Sequence, residues 1–193
     1  MTTYTPQEDS FFFSEFLKKY LSKLKNKNIA YLDMGTGSGI LAETALKFLS
    51  KNNILAVDIN EKSVALVRKK GIKAVQSNLF SKIPKTKKYD LITFNAPYLP
   101  ADPREPKDSQ LATTGGKKGD ELAVRFLKQA LPRLNQDREI FLLISNLTPL
   151  NQIRKFHPKI VARKKLFFEE LKILKIKKAC KNKTRLHSHD FFR

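Results

Sequence analysis

The chain has 193 residues, 41% of them hydrophobic, which suits one domain with a buried core and excludes a disordered chain. No apolar run approaches the roughly 20 residues that cross a bilayer. The first ten residues lack the charged-then-apolar order of a secretory signal, and a single cysteine, Cys180, rules out an internal disulfide, so a cytoplasmic protein with no membrane partner is expected.

Lys and Arg number 38 against 18 Asp and Glu, a net charge of +20. A field of that size draws polyanions and predicts contact with RNA or a ribonucleoprotein. A Lys-rich proteome or a salty or hot cytoplasm would give the same balance. Half of the excess lies in Asn135 to Arg193, with 15 basic and five acidic residues.

An extended arm, Met1 to Gln7, precedes a helix over residues 10–25, with Asp9 or Ser10 as its N-cap. Phe12, Phe13, Phe16, Leu17, Tyr20, Leu21 and Leu24 recur at three- and four-residue steps, and lysines take the wet side. Asn28 to Asp33 reads as a buried strand, Ser38 to Leu49 as a helix, Ile54 to Asp58 as a strand and Glu61 to Lys69 as a helix. Weak strand Ile72 to Val75 follows Gly71. Strand Asp90 to Asn95, helix Asp120 to Leu134, strand Glu139 to Ser145 and helix Pro149 to Phe156 come next. Val161 to Phe167 and Glu170 to Ile176 read as β-segments too closely spaced for a parallel crossover, hence as an antiparallel hairpin. The expected fold is α/β: a Rossmann-like, doubly wound, seven-stranded, mostly parallel sheet with helices on both faces and a C-terminal antiparallel hairpin. The domain spans 1–176, and 177–193 form a basic tail.

Six of the seven glycines fall in two loops. Asp33-Met34-Gly35-Thr36-Gly37-Ser38-Gly39 joins the first strand to a helix, at the ligand crevice of such a sheet. A structural turn or a pyrophosphate loop would also use glycines. The spacing departs from Gly-x-Gly-x-x-Gly, however, and Asp33 would repel a pyrophosphate while attracting a cationic amino-acid group. S-adenosylmethionine is therefore the expected cofactor. Asp58 ends the second strand about 20 residues on, in Val57-Asp58-Ile59-Asn60. An acid there can bind both ribose hydroxyls; the competing role, capping the next helix, suits Asn60.

Asn95-Ala96-Pro97-Tyr98 follows the fourth strand. An amide or exocyclic amino nitrogen is a poor nucleophile because its lone pair is delocalised. Acceptors aimed at its two hydrogens, the Asn95 side-chain oxygen and the Ala96 carbonyl, can hold it and favour pyramidalisation. Tyr98 can stack on the flat group and Pro97 stiffens the turn. A plain Asn-x-Pro turn is the bland alternative.

With these motifs in this order, the chain resembles the class I methyltransferases with an Asn-Pro-Pro-Tyr motif, and within them the HemK-like glutamine methyltransferases, especially their short eukaryotic and archaeal branch. Tyr4-Thr5-Pro6-Gln7-Glu8-Asp9-Ser10 is similar to that branch's opening signature, and Gly115-Gly116-Lys117-Lys118-Gly119 to its glycine loop. The resemblance implies methylation of the glutamine in the Gly-Gly-Gln loop of a class I release factor, closure of Pro6, Glu8 and Asp9 over the methionine end of the cofactor, and a small zinc-binding activator subunit over a sheet edge. Two positions depart from the family: Ala96 stands where it has Pro, and Asn78, in Ser77-Asn78-Leu79-Phe80, stands where it often has an acid, although its side-chain oxygen can accept from the adenine amino group. The charge keeps a second reading open, an RNA or DNA base amino-group methyltransferase acting on adenine N6 or guanine N2. A cofactor-binding scaffold is a third reading, disfavoured by the intact Asp33, glycines, Asp58, Asn95 and Tyr98. Cys180, His187 and His189 offer too few ligands for a metal site. Arg163-Lys164-Lys165 could touch phosphates or simply guard a sheet edge.

Overall fold

A computed structural model describes residues 6–101, 104 and 113–178 of the chain. Short apolar runs, each closed by a polar or glycine-rich turn, pair side by side as the parallel strands β1 (Tyr31–Met34), β2 (Ile54–Asp58), β3 (Ala74–Gln76), β4 (Tyr89–Asn95) and β5 (Leu134–Ser145). The hairpin β6 (Lys159–Lys165) and β7 (Glu170–Lys177) completes the sheet. The order is β3-β2-β1-β4-β5-β7-β6, with β5–β7 and β7–β6 antiparallel. Strands wind outward from β1 to β3 and then restart at β4, so the direction switches between β1 and β4. Loops leaving the carboxyl ends of those two strands diverge there and open a crevice.

Alternate residues of each central strand serve opposite faces. Leu32, Met34, Ile92, Phe94, Ile140 and Leu142 pack with Phe126 and Leu127 of helix α4 (Glu121–Ala130). Tyr31, Leu91, Phe141 and Leu143 pack with α1 (Glu8–Ser22), α2 (Ile40–Leu46) and α3 (Glu61–Lys69). Helix α1 buries Phe13, Leu17 and Leu21 and sets Phe16 and Tyr20 edge-on to Phe141, with ring centroids 4.9 and 4.8 Å apart. Each buried apolar side chain of this size is worth about 1.5–3 kcal/mol. That anchorage holds the first turn of α1 at the crevice.

Several boundaries differ from the sequence reading. Helix α1 is capped by Gln7 without a side-chain bond, not by Asp9 or Ser10, whose side chains turn toward β4. Segment 134–138, Leu-Asn-Gln-Asp-Arg, lacks strand propensity but belongs to β5. A register shift opposite Tyr89 and Leu91 and Asp137 at φ +58° accommodate it, and Asn135 and Arg138 bind the Asp90 carboxylate. The helix expected over Pro149 to Phe156 is only a 3-10 turn, Ile153–Phe156, stopped by His157 in the left-handed conformation ahead of Pro158. Lys177, assigned to the tail, belongs to β7 and pairs with Glu139 of β5. Cys180, His187 and His189 lie outside the described residues.

Candidate active site

The crevice at the switch point is a cavity of about 920 Å³. On the β1 side the loop takes the left-handed conformation at Gly35 and Gly37, with φ +62° and +53°. A Cβ on Gly35 would sit 2.8 Å from the Phe94 ring, so the loop can lie against β4 only as glycine. Asp58 closes it: its Oδ2 accepts from the Gly37 N–H (2.8 Å) and its Oδ1 from the Asn60 N–H (2.8 Å). Asn60, as expected, caps α3 through the Lys62 N–H.

Asp33 lies behind this loop and does not line the cavity. Its Oδ2 accepts from the Thr36 hydroxyl (2.7 Å) and its Oδ1 from the Thr93 hydroxyl (3.1 Å), which in turn pairs with the Tyr31 hydroxyl (2.6 Å). Burial raises the Asp33 carboxyl to about 7; the two threonine bonds oppose the rise and the nearby Asp58 adds to it. Asp58 is raised as well, by burial, against its backbone hydrogen bonds.

On the β4 side, Asn95 Nδ2 donates to Asp9 Oδ2 (3.0 Å) and reaches Ser10 Oγ (3.4 Å). A carboxylate only accepts, so the amide is oriented with its oxygen away from α1. That oxygen, Oδ1, is buried and without a partner. The second glycine loop explains itself here by close approach. Gly115 N–H donates to the Leu99 carbonyl (2.9 Å), and a Cβ on Gly115 would lie 2.7 Å from the Pro97 carbonyl oxygen. The Thr148 hydroxyl holds the Tyr98 carbonyl (3.2 Å). Asn95, Ala96, Pro97 and Tyr98 thus form a braced wall.

Of the residues singled out from sequence, Asp9, Gly35, Thr36, Gly37, Asp58, Ile59, Asn78, Leu79, Asn95, Ala96, Pro97 and Tyr98 line the cavity together. Pro6, Glu8, Asp33 and Gly39 do not. Glu8 pairs outward with Lys164, and Gly39 caps α2 against Val67. Asn78 Oδ1 already accepts from Arg125 (3.2 Å). Arg125, Glu121 and Leu122 line the cavity from one face of α4, a clustering that helical spacing alone could have suggested. Glu169, in the β6–β7 turn, also lines it, and its Oε2 is buried without a partner. Nothing local in the sequence signals that position.

Residues 12–168 match the family model of the methyltransferase small domain. The chain belongs to that family. It is an S-adenosylmethionine-dependent methyltransferase. It is 35% identical over 185 residues to a Methanocaldococcus jannaschii protein provisionally named a protein N5-glutamine methyltransferase, covering 89% of each chain. It is 32% identical over 107 residues to the release factor glutamine methyltransferase of Fusobacterium nucleatum, covering 52% of this methyltransferase and 30% of that one. These names agree with the HemK-like resemblance. Among solved structures, the Thermus thermophilus 16S rRNA N2 G1207 methyltransferase superposes with a TM-score of 0.65 at 19% identity over 91% of this chain and 44% of that one, a likeness of fold. No helix of the described residues is long and apolar enough to cross a membrane.

Proposed function

We propose that this methyltransferase N5-methylates the glutamine side chain in the Gly-Gly-Gln loop of a class I translation release factor, in the cytoplasm. The observation that carries the reading is the buried, unpartnered Oδ1 of Asn95, a residue that lines the cavity and whose Nδ2 is held by Asp9. A buried acceptor without a donor costs about 1–3 kcal/mol. An incoming amide N–H removes that cost. The Ala96 carbonyl would take the second amide hydrogen, and Tyr98 would pack on the flat amide.

The cavity suits the cofactor. Its volume is at the upper end for small-molecule sites, about 300–1,000 Å³, leaving room for a nucleoside and a side chain together. Asp58 would accept from the ribose hydroxyls, with Ile59, Leu79 and Asn78 around the adenine, and Gly35 to Gly37 would face the amino-acid end. Asp33, whose carboxyl burial raises to about 7, would be favoured in its ionised form by that cationic end across the loop. S-adenosylmethionine supplies a methyl group already activated on a sulfonium. The protein's own task is then alignment: Asn95 would fix the nitrogen and the braced wall would hold Asn95 and Tyr98 in place.

A zinc-binding activator and contact with a ribonucleoprotein are further parts of this reading, supported by the family resemblance and by the charge. Transfer of labelled methyl to a matched release factor, intact and with its Gly-Gly-Gln glutamine replaced, beside total RNA, tests it. Label on the intact factor alone is expected. Label on RNA alone would move the enzyme to base methylation.

A further inference from the structure

The β6–β7 connection is a two-residue turn closed by the Leu166 N–H donating to the Glu169 carbonyl (2.7 Å). Neither turn residue takes a positive φ, so the backbone does not demand glycine or asparagine there. Here both positions are phenylalanine. Phe167 and Phe168 are 93% and 88% exposed, and their rings meet edge to face at 4.6 Å. The core gains nothing from them, so two large apolar rings stand in water at the tip of the hairpin.

Their location gives them a use. The next residue, Glu169, lines the cavity, accepts from the Tyr98 hydroxyl (3.4 Å), and keeps its second carboxylate oxygen buried without a partner. The turn therefore stands at the mouth on the Tyr98 side. It is stiff: Leu166 packs on the core, and Glu170 binds Arg163 (3.0 Å), Lys172 (3.1 Å) and the Asn146 side chain (2.7 Å). Leu147, beside Asn146, adds a half-exposed apolar side chain. Exposed Lys165 lies before the turn, and exposed Lys117 and Lys118 belong to the glycine loop that also walls the mouth.

We propose that this turn docks the methyl-accepting protein. Phe167 and Phe168 enter an apolar patch on that protein bordered by acidic side chains, and Glu169 receives an N–H from the loop that carries the target glutamine. The inference rests on the protein-substrate reading above. The basic rim selects an acidic partner face, and the rigid aromatic pair supplies anchors at small entropic cost. Rings set edge to face, rather than parallel, favour a protein patch over successive nucleic-acid bases, which stack on open faces.

The test is methyl transfer by the Phe167→Ser/Phe168→Ser double variant, with Phe167→Leu/Phe168→Leu as the conservative control. Against the release factor, the serine variant should raise KM by about tenfold or more, with kcat at saturation within about twofold of wild type and cofactor Kd and Tm unchanged; the leucine variant should recover most of the loss. A serine variant with wild-type KM overturns the docking role while leaving the functional reading intact. Wild-type enzyme that leaves the factor unlabelled defeats the functional reading itself, and the dock with it. Label on RNA that falls in the serine variant would assign the turn to nucleic acid and overturn the proposal.

Discussion

Asp9→Asn tests how the site chooses its polarity. In the wild type the Asp9 carboxylate accepts the Asn95 Nδ2 hydrogen at 3.0 Å, so Oδ1 points away from α1. Asparagine at position 9 has the same shape but can offer either its oxygen or its NH2 group. Where it offers NH2, Asn95 turns over and presents two donors to an incoming amide that also needs acceptors. A hydrogen bond to a charged group is worth about 1.5–3 kcal/mol, and its loss converts to about 10–150-fold in the fraction of correctly held amide. The remaining contact, to Ser10 Oγ at 3.4 Å, is long and a hydroxyl accepts or donates, so it restores little orientation. Single-turnover methyl transfer at saturating cofactor should therefore fall by about one to two orders of magnitude, with cofactor Kd close to wild type. The same variant separates two roles for Asp9. If it closes over the methionine end of the cofactor, as the family resemblance implies, Kd weakens and the single-turnover constant at saturation recovers. A variant within about twofold of wild type on both measures would refute the orientation argument. Loss of the charge from the first turn of α1 costs about 0.3–1 kcal/mol of stability, so Tm is read in parallel.

Asn95→Ala should lower turnover by about 10²–10³-fold with cofactor affinity retained by calorimetry, because it removes the acceptor proposed to hold the nitrogen. Asp58→Ala should instead weaken cofactor Kd by about tenfold or more, and wild-type affinity would remove it from the ribose. Asp33 is raised to about 7 chiefly by burial, so between pH 4 and 7 the folded chain binds more protons than the unfolded one, and stability falls as pH rises through that window. Asp33→Asn should flatten that slope in denaturant titrations. Gly115→Ala should destabilise the fold by about 1–3 kcal/mol and slow turnover, since its Cβ would meet the Gly119 and Pro97 carbonyl oxygens at 2.3 and 2.7 Å.

The parallel sheet was readable because its strands are apolar on both faces and each ends in a turn residue the eye can find, as in Ile54 to Asp58 and Asp90 to Asn95. Where pairing overrides propensity, sequence reading stops early. The polar start of β5 at Leu134 joins the sheet only because β4 offers it a ladder and Asp90 takes Asn135 and Arg138. Conversely, Pro149 to Phe156 has the spacing of a helix, but the segment is too short between two prolines to pass the cost of nucleation, and it settles as one 3-10 turn.

The site divides in the same way. Motif residues such as Gly35, in the loop after β1, and Asp58, at the end of β2, were legible because glycine and acid are required locally, by a positive φ and by the strand end. The contacts that give those motifs direction join residues far apart in sequence: Asp9 with Asn95, Asp33 with Thr93, Tyr98 with Glu169. An asparagine amide has a donor end and an acceptor end of nearly equal shape, so the Asn95 motif alone leaves open which end meets the substrate. An acceptor-only partner on α1 removes the ambiguity, and α1 stays in reach because Phe13, Leu17 and Leu21 bury it on the sheet. The orientation of the Asn95 amide thus depends on the packing of a helix that contributes its apolar face to the core and its first turn to the cavity wall.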